Sequence, residues 1–176
     1  MNIVVYLGAS LGNNSFYKEE AIKLGKYIAD SNNTLVFGGS GTGLMGELVE
    51  SVTNNNGISI GVQTKKFNDL GYTYNKLTKL IITDNMSLRK LKMIELGDVF
   101  IAFPGGTGTL EEISEVITKS VLKEINNKVI IYNLNHYYDD LINLFNKMKE
   151  NEFTNNDKLS NIYFPTNLDE LKILLL

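Results

Sequence analysis

Two acids and two bases stand where side chains do chemistry. Glu111 and Glu112 close the glycine-rich stretch FPGGTGTLEE, Phe103 to Glu112, at the start of a helical pattern. A helix start carries about half a positive charge and favours a carboxylate, so both acids are expected to be ionised near neutral pH. A carboxylate there can hold ribose hydroxyls, orient a water or stabilise a cationic sugar. The spacing also allows a purely structural reading. Thr109-Leu110-Glu111-Glu112 is T-x-x-E, a capping box in which Glu112 serves only the backbone. Arg89 and Lys90 fall in the first turn of another helical stretch, against its macrodipole. The Arg89 fork suits a phosphate or a ribose; an ordinary solvated face of mixed charge is the alternative.

Three loops supply what such groups would act beside. LGASLG (Leu7 to Gly12), FGGSGTGLMG (Phe37 to Gly46) and FPGGTGTLEE each end an apolar run and open a helical pattern. Glycine lets backbone N–H groups come close to an anion, and a helix N-terminus attracts it. Three such starts brought together form a phosphate cradle with no Lys or Arg. Taken singly, each loop is simply a tight turn between strand and helix. Gly41 to Gly46 matches G-x-G-x-x-G, but it follows the second strand, and no acid ends the next one. That argues against a dinucleotide site. Gly43 is followed by Leu44, so the Walker pattern is absent. His136 is the single histidine and is expected at the surface or at a cap. With no cysteine beside it, a tetrahedral zinc site is disfavoured, and there is no G-x-S-x-G elbow.

The elements that must position these residues alternate. Strands are expected at Asn2 to Leu7, Thr34 to Phe37, Ile58 to Val62, Leu80 to Ile82, Val99 to Phe103, Val129 to Tyr132 and Ile162 to Phe164. Helices are expected through Ala21, Leu24 and Ile28, then over Leu44 to Thr53, Met86 to Leu96, Gly108 to Glu124, Tyr137 to Lys149 and Leu168 to Leu175. Strand alternating with helix predicts a doubly wound α/β fold, its mostly parallel sheet covered on both faces. In such sheets ligands bind where the carboxyl ends of the strands meet their loops. The 176 residues, 43% of them hydrophobic, suffice for one core, and no linker interrupts them, so one domain is expected over residues 1–176. The net charge of −3 shows no nucleic-acid footprint. The N-terminus lacks a basic leader, no apolar run nears a membrane span, and cysteine is absent, which together suggest a cytoplasmic protein.

The blocks GGSGTGLMGE (Gly38 to Glu47), NMSLRKLKM (Asn85 to Met93) and PGGTGTLEE (Pro104 to Glu112) resemble those of the LOG ("Lonely Guy") family. These are cytokinin riboside 5′-monophosphate phosphoribohydrolases, often mislabelled lysine decarboxylases. Their signature P-G-G-x-G-T-x-x-E is complete here. The resemblance implies a Rossmann-like fold and a homodimer with active sites near the interface. It also implies hydrolysis of AMP-type nucleoside 5′-monophosphates, N6-substituted ones among them, to free base and ribose 5-phosphate, with no metal or cofactor. It places Arg89 and Glu112 in catalysis. Lys90, Met86 and Pro104, Gly105, Gly106, Thr107, Gly108 and Thr109 fall on nucleotide-binding positions, and Gly8, Ser10, Gly38, Gly39, Ser40 and Gly43 join them from the other two loops. The main rival is a non-catalytic nucleotide or molybdenum-cofactor carrier of the same fold, which needs the cradle but not the Arg89–Glu112 pair. The chain departs from the family pattern at Ser87 and Leu88, at Lys79 where a binding Glu is usual, and at Gln63 where a Pro usually ends the third strand. Loss of the two acids at 79 and 88 would leave the base fewer hydrogen-bond acceptors and loosen its selection.

Overall fold

The computed structural model describes residues 1–176. Seven parallel strands form one sheet: β1 (Asn2–Tyr6), β2 (Thr34–Phe37), β3 (Ile58–Thr64), β4 (Lys79–Thr83), β5 (Val99–Ala102), β6 (Lys128–Ile131) and β7 (Ile162–Tyr163). Their order across the sheet is β4-β3-β2-β1-β5-β6-β7. Seven α-helices alternate with them: α1 (Ser15–Asp30), α2 (Gly43–Asn54), α3 (Lys65–Asp69), α4 (Met86–Leu96), α5 (Thr107–Val121), α6 (Asp139–Glu150) and α7 (Leu168–Leu174). This is a doubly wound, Rossmann-like α/β architecture. The sheet is wholly parallel, because every connection crosses over through a helix or a long loop.

The central strands read as continuous apolar runs because both their faces are buried. Ile3, Val5, Leu35 and Phe37 pack with Ala21, Leu24 and Ile28 of α1 and Leu48, Val49 and Val52 of α2 on one face. Val4, Tyr6, Val36 and Val62 pack with Met93 of α4 and Ile113 and Val116 of α5 on the other. Alternate residues of one strand thus feed two cores.

From β1 the chain winds outward to β4, then returns to lay β5 on the other side of β1. The loops after β1 and β5 therefore leave in opposite senses and open a crevice between them, the place such a sheet offers to a ligand. No helix is long and apolar enough to cross a membrane.

Candidate active site

The three glycine loops meet at that crevice and line a cavity of about 780 Å³. Backbone bonds hold them together. The Gly8 N–H donates to the Pro104 carbonyl at 3.2 Å, and the Met45 N–H donates to the Gly8 carbonyl at 3.3 Å. Such close approach explains Gly43, whose φ is +59° and where a Cβ would sit 2.2 Å from the Ala9 carbonyl carbon.

Two helices begin at this cavity with open ends. The starts of α1, α4 and α7 are closed by the side chains of Asn14, Asn85 and Asn167, each accepting from a first-turn N–H. Those of α2 and α5, after Thr42 and Gly106, have no side-chain cap. In α2 the Met45 N–H is taken by the Gly8 carbonyl; the remaining first-turn N–H groups of the two helices have no intrahelical acceptor, and the dipole adds partial positive charge. A Cβ on Gly106 or Gly108 would meet nothing within 4 Å, so the space in front of α5 is open. An oxyanion there would complete the helix.

Arg89 is not on a solvated face. It is 7% exposed; its Nε donates to the Val62 carbonyl at 2.9 Å, and its Nη1 lies 3.4 Å from Glu112 Oε1. Room for the guanidinium comes from Gly38, where a Cβ would stand 2.0 Å from Nη2. The buried side of α4 carries Arg89 and Met93, so the helix spends part of its inward face on a charge.

Glu112 corrects two expectations. First, α5 starts at Thr107, with Gly106 in extended conformation as its cap. Thr109 is then buried inside the first turn rather than capping it, and no capping box forms. Second, burial pushes the Glu112 carboxyl up to about 7; Arg89 pulls it down, Glu111 raises it, and Lys90 lowers it, but desolvation wins. Glu112 is therefore not simply ionised at neutral pH. Beside it the buried Tyr6 phenol is pushed well above its ordinary range by burial and by Glu112.

Of the residues expected at the site, Gly8, Ser10, Gly38, Ser40, Met86, Arg89, Glu112 and every residue from Pro104 to Thr109 line the cavity. Gly39, at φ +78°, and Gly43 shape loops from behind. Lys90 is turned away: its ammonium pairs with Glu111 and, at 2.9 Å, with Glu115, tying α4 to α5. The departures Lys79, Ser87 and Leu88 lie outside the lining too, so the cavity itself loses no acceptor through them. His136 is exposed, 3.1 Å from Asp139. The sequence reading missed Tyr6, Phe67, Tyr72 and Tyr137, all of which line the cavity, and it noted Gln63, which lines it too, only as a departure from the family pattern. The Tyr137 hydroxyl donates to the Gly105 carbonyl at 2.5 Å and holds the third loop in place. An aromatic pair in NLNHYYDD was its one visible signal.

Residues 45–173 match a family model described as "Possible lysine decarboxylase". A cytokinin riboside 5′-monophosphate phosphoribohydrolase of Rhodococcoides fascians is 39% identical over 142 residues, covering 80% of this chain and 72% of the relative. One of the same name from Arabidopsis thaliana is 38% identical over 151 residues, 86% of this chain and 71% of that one. Among solved structures, the molybdenum cofactor binding protein of Rippkaea orientalis superposes with a TM-score of 0.74 at 21% identity, covering 99% of this chain and 94% of that one. The Moco carrier protein of Chlamydomonas reinhardtii gives 0.73 at 18% identity, covering 99% and 96%. At such identities these two show a shared fold.

Proposed function

The chain belongs to the LOG family, and we infer that it is a phosphoribohydrolase cleaving the N-glycosidic bond of AMP-type nucleoside 5′-monophosphates. The observation that carries this is the buried Arg89–Glu112 pair at the wall of a cavity onto which two uncapped helix starts open. A pure carrier needs the cradle; it has no use for a desolvated carboxylate poised near neutrality. The family description as a decarboxylase finds no support in the cavity, because no lysine lines it to hold pyridoxal phosphate as a Schiff base.

The 5′-phosphate rests against the open starts of α2 and α5, and this remote binding energy fixes the ribose beside Glu112. The bond from C1′ to the base nitrogen breaks, its electron pair leaving with the base. The ribose becomes oxocarbenium-like, as in glycoside cleavage. Ionised Glu112 stabilises that charge and takes a proton from the incoming water, whose oxygen bonds C1′; the departing base takes up a proton, balanced by the one Glu112 returns to solvent. Arg89 anchors the ribose or phosphate and keeps Glu112 in place. The products are free base and ribose 5-phosphate. The active form is a homodimer, and its substrate is a soluble nucleotide.

The test is release of free base. Purified protein should liberate base from a purine nucleoside monophosphate and act poorly on the matching nucleoside. Equal turnover of adenosine and AMP would overturn the phosphate-anchoring role of the glycine loops.

A further inference from the structure

The loop from β5 into α5 has its acceptors tied and its donors free. The Phe103 carbonyl accepts from the Tyr138 hydroxyl at 2.8 Å and the Gly105 carbonyl from the Tyr137 hydroxyl at 2.5 Å. Between and beyond them, the Pro104 carbonyl accepts from the Gly8 N–H at 3.2 Å and the Gly106 carbonyl from the Leu110 N–H at 3.1 Å. No backbone N–H from Gly105 to Thr109 has a partner in the chain. A trans peptide sets its N–H opposite its carbonyl, and the chain has no cis peptide bond. Holding each carbonyl therefore decides where the next residue's N–H points.

The two tyrosines differ in what their bonds control. Tyr138 is 7% exposed and bonds the Phe103–Pro104 peptide, which carries no N–H, so its hydroxyl serves the core alone. Tyr137 is half-exposed, lines the cavity and bonds the Gly105–Gly106 peptide. Its hydroxyl keeps that carbonyl to one side and sends the Gly106 N–H to the other, at the uncapped start of α5.

The turn that delivers Tyr137 is strained. Asn135 and His136 have φ of 49° and 61°, left-handed backbone that residues other than glycine seldom adopt. The buried Asn133 holds the turn in place: its Oδ1 accepts from the Tyr138 N–H at 2.7 Å, and its Nδ2 donates to Asp139 at 2.7 Å. The Tyr137 ring then stands edge to face against Tyr17 and Tyr138, with centroids 5.9 and 4.9 Å away. Packed on both partners, the ring keeps its hydroxyl on Gly105.

We propose that Tyr137 is a positioning residue for the 5′-phosphate: through the Gly105 carbonyl it orients the Gly106 N–H toward the anion in front of α5. This rests on the nucleotide reading above. Without the bond, a peptide with glycine on both sides is free to rotate, and its donor leaves the anion. The loss falls only on ligands that carry the phosphate.

Calorimetric binding of ribose 5-phosphate, and base release from AMP and adenosine, are measured for wild type, Tyr137→Phe and Tyr138→Phe. Tyr137→Phe keeps the ring and should weaken ribose 5-phosphate about fivefold or more. It should lower kcat/KM for AMP by a similar factor and leave that for adenosine within about twofold. Tyr138→Phe should lower Tm while holding ribose 5-phosphate affinity within about twofold of wild type. Unchanged ribose 5-phosphate affinity in Tyr137→Phe overturns the assignment, as does an equal loss for AMP and adenosine, or for the two tyrosine variants. A Tyr137→Phe chain that fails to fold makes the hydroxyl a folding bond and overturns it too. If Tyr137→Phe weakens ribose 5-phosphate as expected but wild type releases no base, the hydrolytic reading falls and the Tyr137 assignment stands. If wild type does not bind ribose 5-phosphate, the phosphate cradle and the Tyr137 assignment fall together.

Discussion

Glu112 keeps its proton in the folded chain up to about pH 7, against an ordinary 4.5, because burial outweighs Arg89. Two consequences follow at this one residue. In the role proposed for it, a carboxylate stabilising a cationic sugar, Glu112 works only above its own titration, so kcat/KM should rise through about pH 7 and then level off. Glu112→Gln should lose activity on the order of 10²-fold or more and with it that limb; near-wild-type rates would return Glu112 to structural duty. Glu111 lies on the exposed side of α5, paired with Lys90, and Glu111→Gln should be the milder change. The second consequence is thermodynamic. Between about pH 4.5 and 7 the folded chain holds a proton that the unfolded chain has released, so this group makes folding less favourable as pH rises through that window. The unfolding free energy of wild type minus that of Glu112→Gln should therefore fall from pH 4.5 to 7 and stay flat above it. A difference that rises there would contradict the buried, proton-holding carboxyl.

The glycine loops and the helices they open are where the sequence was most legible and also where it misled. The alternation of strand and helix, and the crevice it implies, could be read because strands buried on both faces leave unbroken apolar runs. The start of α4 at Met86 could be read because Asn85 caps it. The start of α5 could not, since Gly106 makes the turn with no side-chain signal and the T-x-x-E spacing falls three residues too late. α3 spans only five residues, too few for periodicity, so the wall of Phe67 and Tyr72 had no announcing pattern. Two substitutions test the loops as built. Gly108→Ala adds a methyl where nothing lies within 4 Å. It should stabilise the fold by about 0.5–1 kcal/mol, Ala being the better helix residue. It should also raise KM for the monophosphate, because that methyl occupies the anion's space; a KM unchanged beside a higher Tm would remove the phosphate from α5. Gly38→Ala instead drives a methyl onto Arg89 Nη2. The guanidinium must leave Glu112, and activity should fall on the order of 10²-fold. Wild-type activity in that variant would show that Arg89 need not sit where it does.

At the scale of the molecule, α4 turns its charge inward and its leucines outward. Leu88 and Leu91, spaced three apart, are 45% and 47% exposed, while Arg89 and Met93 are buried. Leu110 on α5 is exposed as well, and Lys90 ties the two helices together through Glu111 and Glu115. Helical spacing alone gives the period of these residues; which side faces the sheet is decided by the Arg89 bonds to Val62 and Glu112. The helices that carry Arg89 and Glu112 thus present leucines to solvent beside the cavity, where Met86 is also exposed. A patch of that kind suits a second copy of the chain, joined by a two-fold axis that sets the same face against itself. Light scattering at micromolar concentration should give twice the 19.7 kDa of one chain. Leu88→Glu with Leu91→Glu should give a monomer that keeps its fold, since neither side chain belongs to the core, and that loses activity if the dimer holds α4 and α5 in register. A wild-type monomer would refute the dimer outright, and a dimer that survives both glutamates would move its interface away from α4.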